Sequence, residues 1–429
     1  MAENGKSKRT IGRKELTMWK PPWRYFEGWC ICIGLLITGL MLQFSFGKVE
    51  PELFRFPVNL MTGAGFLLFL LMFHIGSRRI KSLQWFSGHT AGITSFASLL
   101  FLMILMGLTR QLPSSLDVSH ESAFVRMGWM QMTVSWQFLL LSFYFLFVLG
   151  WVILRRLRRF RWKDAGFILN HAGLFIALFA AILGSADVQK LRMSVPLNEP
   201  EWRATNEKNE MVELPLAIEL KSFTIDEYPP KLLLVDNLAG IPFPETKPEH
   251  VSVDDCPLVA RLVDWELEIV RYLPYAAVII NRDTINCVEF HAEGASSAIY
   301  VKARNLSNNA QNEGWISCGN YMFPYASLRL NEQLSLVMAN PEPRRYASDV
   351  TVYAKNGETK DAMIEVNKPL SIAGWKIYQS GYDVVSGKWS RYSVFELVKD
   401  PWSPVVGLGI VMLLAGSIFL FVSTPKKTD

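Results

Sequence analysis

The sequence is short of the residues on which most protein chemistry depends. Its 429 residues include only five cysteines and six histidines. No two cysteines form a CxxC pair, which excludes a thioredoxin-like dithiol, and zinc-finger spacing is absent. Cys30 and Cys32 fall in the first apolar run, where packing is their simplest use. Cys256, Cys287 and Cys318 lie in a more polar region, an odd set that allows one disulfide at most. The GxSxG, HExxH and phosphate-loop patterns are all missing. Charged residues make up just 19%, and the net charge of +5 is gathered into short segments. No basic stripe with interleaved aromatics is present, so nucleic acid is not an expected partner. There is no internal repeat and no low-complexity tract.

What the chain does have is apolar length. Half of it is hydrophobic, which marks a membrane protein with a substantial soluble portion. Six runs are long enough to cross a bilayer: Gly28 to Phe46, Pro57 to Gly76, Gly88 to Leu108, Val134 to Leu154, Ala165 to Ala186, and Trp402 to Ser423. Residues 1–27 hold seven Lys/Arg, SRRIKS three and RRLRRFRWK six, and the tail adds Lys426 and Lys427. The loops 47–56 and 109–133 hold two each. The positive-inside rule then places both termini in the cytoplasm and residues 187–401 outside. The expected fold class is a polytopic α-helical membrane protein with six transmembrane helices and a large β-rich extracytoplasmic domain. Its divisions are a basic cytoplasmic N-terminus (1–27), a five-helix bundle (28–186), the external domain (187–401), a last helix (402–423) and a short cytoplasmic tail (424–429). The N-terminal segment has no small-residue cleavage site and reads as an uncleaved anchor.

The stretch from Asp164 to Asp187 joins the bundle to the external domain and carries a histidine, His171, inside an apolar helix. At 100° per residue, Gly173, Ala177, Ala180 and Gly184 form a small-residue stripe suited to close helix packing. His171 lies roughly opposite, beside Leu174, Phe175, Leu178 and Ile182. A histidine in hydrocarbon needs a partner, either a neighbouring carbonyl or a ligand. His74 and His89 belong to the same cytoplasmic half, closer to the interface, where snorkelling is the simpler reading. His120 sits in the polar loop segment DVSHESAF, where solvation explains it.

The region after Asp187 reads as β. LAIELKSFTIDEY, WELEIVRYL, SAIYVKAR and LSLVMANPE combine β-branched and aromatic residues with partial alternation. In SDVTVYAKNGETKDAMIEVN, Asn356-Gly357 predicts a type I′ hairpin tip. EYPPK and IPFPETKPEH mark long loops. His250 and His291 have no evident partner, and Trp375, Tyr378, Tyr382 and Trp389 fit a β core better than an interfacial belt.

The C-terminal region carries, in order, Ser348-Asp349, Val366-Asn367-Lys368-Pro369-Leu370, Gly374, Tyr378-Gln379-Ser380, Tyr382, Asp400-Pro401 and a glycine-bearing last span. As a set these pieces closely resemble the ResB family of cytochrome c biogenesis proteins. PLAIELKSFTIDEY resembles the first strand region of that family's external domain. FILNHAGLFIALFAAILGSADVQKL resembles the histidine-bearing span before it, so the likeness runs from about Asp164 to Ser423. The family is expected to have three spans before the domain, whereas this chain has five. No tryptophan-rich WWD-type motif is present; that segment belongs to the family's ResC/CcsA-type partner. The resemblance implies a bacterial plasma-membrane subunit, itself non-catalytic, of a system II holocytochrome c synthase, handing transiently held haem to the thiols of apocytochrome c. It further implies His171 as an axial haem ligand on a shelf of Leu174, Phe175 and Leu178, with the second ligand from the partner or from His89. Two other readings stand beside it. One is a scaffold docking apocytochrome or the partner without touching haem. The other is a b-type haem electron-transfer subunit using two of His74, His89 and His171.

Overall fold

The computed structural model describes residues 23–77, 81–116, 123–281 and 284–423. His120, the first 22 residues, Arg78 and Arg79 of SRRIKS, and the tail 424–429 lie outside the described residues. The chain divides into two compact units. One holds the residues up to Val188 together with those from Asp400 onward, and the other is Gln189–Lys399.

Among the described residues, six helices are long and apolar enough to cross a membrane. They are α1 (Tyr25–Phe46), α2 (Val58–Gly76), α3 (His89–Leu108), α4 (Trp136–Leu157), α5 (Ala165–Gly184) and α6 (Ser403–Ser423). Each closes its backbone hydrogen bonds within itself, as a chain in hydrocarbon must. Of the six, α4 is the most buried. Its first turn is capped by Ser135, whose hydroxyl accepts from the Phe138 N–H at 3.4 Å. Its Phe147 and Trp151 interlock with Phe73 and Phe86 edge to face and face to face, and its Phe143 meets Phe66 edge to face. Glycines set the closest approaches. A methyl on Gly39 of α1 would stand 2.6 Å from the Gln137 Cα of α4.

The tightest pairing is α5 against α6. Gly173 and Ala177 face α6, and Gly184 meets Trp402 just before it, so the small-residue stripe read from the sequence is the packing face. Gly409 of α6 lies over Gly173 and Ala177, and Gly416 lies over Asn170. With no side chains between them, the backbones gain dispersion contacts that lipid tails cannot supply. Asn170 Nδ2 then donates to Ser417 Oγ at 2.7 Å and to the Leu413 carbonyl at 3.2 Å. At the far end Asp187 ties three segments together. Its carboxylate accepts from the Phe56 N–H (2.8 Å), Asn59 Nδ2 (2.6 Å) and Trp402 Nε1 (2.7 Å).

The second unit is all β among its described residues apart from one short 3₁₀ turn. An eight-stranded sheet runs in the order Thr359–Glu365, Pro343–Ala354, Met211–Glu227, Pro200–Thr205, Gln189–Pro196, Tyr392–Lys399, Trp375–Tyr382, Leu370–Ile372. It curls until strands from both of its halves share one core, built on Met193, Ile218, Val350, Ile364, Ile377 and Phe395. Inside this core Ser348 Oγ donates to Gln379 Oε1 at 2.6 Å and lies 2.8 Å from Ser393 Oγ. Two five-stranded sheets form a second core around Leu232, Leu267, Ile269, Ile299 and Leu336.

The expected hairpin is present, with a different turn. Residues 355–357 form a three-residue loop closed by Ala354 N–H to Glu358 O, and only Gly357 is left-handed (φ 87°). Asn356 instead uses its side chain, accepting from the Glu358 N–H at 3.1 Å. The two-residue loop with both φ positive is Ala373-Gly374 (48° and 80°), between the strand partners Ile372 and Trp375. Trp375 is buried, as read from the sequence, and all five cysteines are free.

Candidate ligand-binding cavity

Four segments converge at one end of the helical unit: the last turn of α2, the first turns of α3, the last turn of α4 and the first turns of α5. This is the end that carries RRLRRFRWK. The segments enclose a cavity of about 1150 Å³. That is at or above the upper end of the roughly 300–1,000 Å³ usual for small-molecule sites. His74, His89 and His171 all line it.

Each histidine arrives from a different helix, for a local reason. His74 ends α2 and is buried. His89 opens α3 behind Gly88, and its ring sits edge-on to Tyr25 at 6.2 Å. His171 lies two turns into α5, where its Nδ1 is 2.9 Å from the Phe167 carbonyl one turn back. A carbonyl only accepts, so Nδ1 carries the proton and Nε2 keeps its lone pair. The imidazole also stacks on the Phe167 ring, 3.8 Å between centroids and 24° between planes. The neighbouring carbonyl anticipated from the sequence is therefore there. It occupies one nitrogen and fixes the tautomer that leaves the other available to a metal.

The Phe167 ring also carries Arg156, whose guanidinium carbon is 5.0 Å from the ring centroid. Arg156 is held in turn by Asp164, with Nη2 to Oδ1 at 2.8 Å. Arg155 donates to Ser87 Oγ at 2.9 Å. Arg158, Arg159, Arg161 and Lys163 complete a strongly cationic lining in which Asp164 is the one acid. The apolar wall comes from Phe96, Phe145, Leu149, Trp151 and Leu174.

Of the residues singled out from the sequence, His171, Leu174 and His89 share this cavity, and His74 joins them. Leu174, Phe175 and Leu178 all pack against the bundle core, and Phe175 and Leu178 do not line the cavity. Phe175 lies against Phe66 and Phe179, and its ring edge is 3.0 Å from where a Cβ on Gly150 would stand, so it fills the notch that this glycine leaves. The arginines of RRLRRFRWK carried only a topological meaning in the sequence. The signal that could have joined them to the histidines is that all fall at one end of their helices. Among the described residues, no cluster of His, Cys, Asp and Glu is placed to hold a bare metal ion.

The cavity's chemistry fits a porphyrin. It offers imidazole nitrogen for an iron, aromatic and aliphatic walls for a flat apolar plate, and guanidinium groups for carboxylates. In the β unit, His291 Nε2 is 2.8 Å from Glu289 Oε1 on the surface, and His250 ends up in a short edge strand.

Comparison with known families gives one result. The family model of the ResB-like family matches residues 301–390. A search of curated proteins finds no match. The matched segment lies wholly in the β unit and includes Ser348 and Gln379 of the buried network. It suggests involvement in cytochrome c biogenesis. The three-histidine cavity lies outside it.

Proposed function

We propose that the protein, which carries a ResB-like segment at residues 301–390, is the haem-handling membrane subunit of a cytochrome c assembly system. The observation that carries this reading is the single cavity lined by His74, His89 and His171 and rimmed by arginine. Under the positive-inside reading the cavity opens on the cytoplasmic side, where haem is made. His171, its tautomer fixed by the Phe167 carbonyl, supplies one axial nitrogen, and His74 or His89 is close enough in the fold to serve the same cavity. Transfer to apocytochrome c, with a ResC/CcsA-type partner, forms thioether bonds from thiolates that belong to the substrate. No nucleophile is then required of this chain, and the absence of catalytic motifs is accounted for.

Three histidines in one cavity also favour a second reading, a b-type haem site for electron transfer with two axial imidazoles. The two readings part in cells. Under the first, His171→Ala halts cytochrome c maturation, and added imidazole restores part of it by filling the vacant axial position. Under the second, maturation continues. A His171→Ala chain that inserts normally and supports full cytochrome c yield contradicts the proposal.

A further inference from the structure

The cavity holds six cations, and they are not equivalent. Arg156 is engaged by Asp164 and by the Phe167 ring, and Arg155 by Ser87. Arg158, Arg159, Arg161 and Lys163 have no acidic partner among the described residues, although all four line the cavity. Four like charges within six residues repel one another, and an anion bound among them lowers that repulsion. Orienting the chain in the membrane explains positive charge at this end, but lysine serves that purpose equally. Five of the six cations are arginine, the side chain whose planar fork matches a carboxylate in two hydrogen bonds.

We infer that Arg158, Arg159, Arg161 and Lys163 form a carboxylate subsite at the cavity rim, which takes the two propionates of the porphyrin. This rests on the haem-handling reading and adds to it the part of the ligand that the cations recognise. The histidines hold the metal and the cations hold the acidic edge. The bound plate therefore has one orientation, and a porphyrin without free carboxylates is discriminated against. All four residues are exposed, so a ligand reaches them without first breaking an ion pair.

The test compares hemin with hemin dimethyl ester, in which both carboxylates are blocked. Each is titrated into the full chain purified in a neutral detergent and scored by the His171-dependent Soret shift. The wild type should bind the ester at least tenfold more weakly than hemin. Arg158→Gln with Arg159→Gln should shrink that preference severalfold while leaving ester binding and the shifted band in place. Arg158→Lys with Arg159→Lys should retain part of the preference. Equal affinity for hemin and ester in the wild type, with the His171-dependent band intact, overturns the subsite and leaves the haem reading standing. Absence of a His171-dependent band with either porphyrin overturns both. Phosphatidylglycerol added to the micelles should leave the preference in place. If it brings hemin binding down to the ester level, the cations belong to lipid headgroups and the subsite is refuted.

Discussion

Gly409→Ala adds one methyl group where α5 and α6 pack backbone to backbone. The new Cβ would stand 2.5 Å from the Ala177 backbone nitrogen and 2.8 Å from the Gly173 carbonyl oxygen. Neither is a flexible side-chain tip that can swing aside. Ordinary contact begins near 3.4 Å, so the two backbones must part by roughly 1 Å. A gap of that size forfeits about a quarter to a half of each contact's attraction along the stripe. It also stretches the Asn170–Ser417 hydrogen bond, worth about 0.6 kcal/mol in a membrane interior. Strain from adding a methyl to a packed interface runs to about 1–3 kcal/mol. The expected loss is therefore on the order of 2 kcal/mol, a factor of about 30 in the folded-to-unfolded ratio. The same helix provides the control, because a Cβ on Gly407 meets nothing within 4 Å. Unfolding of the full chain in mixed micelles by increasing dodecyl sulfate, followed by tryptophan fluorescence, should shift to lower detergent fraction for Gly409→Ala and not for Gly407→Ala. Equal curves for the two variants would refute glycine-mediated packing of α5 on α6.

Other expectations follow from the β unit and the topology. Phe395 is fully buried in the core of the eight-stranded sheet, so Phe395→Ala should cost about 3–5 kcal/mol, whereas Met363→Ala, at a half-exposed position, should stay near wild type in a thermal melt. Lys368 and Arg345 hold the Glu365 carboxyl below its usual range, and Lys221 with Thr351 does the same for Asp361. A lowered carboxylate pKa stabilises the folded state above the unfolded value, near pH 4, and that stability is lost as pH falls below it. The melting temperature should accordingly drop between about pH 4.5 and pH 3, and a flat profile there contradicts the pairing. Reporter fusions at Pro113 and Glu245 should read as external and one at Arg158 as internal; the reverse pattern contradicts the cytoplasmic placement of the cavity.

The six spans were legible because an apolar run about 20 residues long matches the thickness of a bilayer's hydrocarbon core. The α5 stripe was legible for a related reason, since small residues spaced along one helix face serve close packing. The neighbours of His171 were less so. The helical wheel set Leu174, Phe175 and Leu178 together, and all three pack against the bundle core, yet of the three the cavity is lined by Leu174 alone. For Phe175 the room comes from the missing side chain of Gly150 on another helix, which no reading of α5 alone contains. The Asn356-Gly357 turn illustrates the same limit. Asn-Gly marks a hairpin, but the pairing of Ala354 with Glu358 sets the loop at three residues, and a three-residue loop asks for one left-handed residue. The strands of the β unit were visible as alternation. Their order was not, because partners such as Leu220 and Val350 lie far apart in sequence and local pattern carries no record of pairing.

The central claim is that one cavity receives haem through His171. The direct measurement is the optical spectrum of the purified full-length chain titrated with hemin, wild type beside His171→Ala, with His250→Ala as a control outside the helical unit. The account predicts a sharp, saturable Soret shift for the wild type and for His250→Ala. For His171→Ala it predicts a weaker band of altered ligation that exogenous imidazole moves back toward the wild-type position. A His171→Ala chain that binds hemin with the wild-type band and affinity would contradict it.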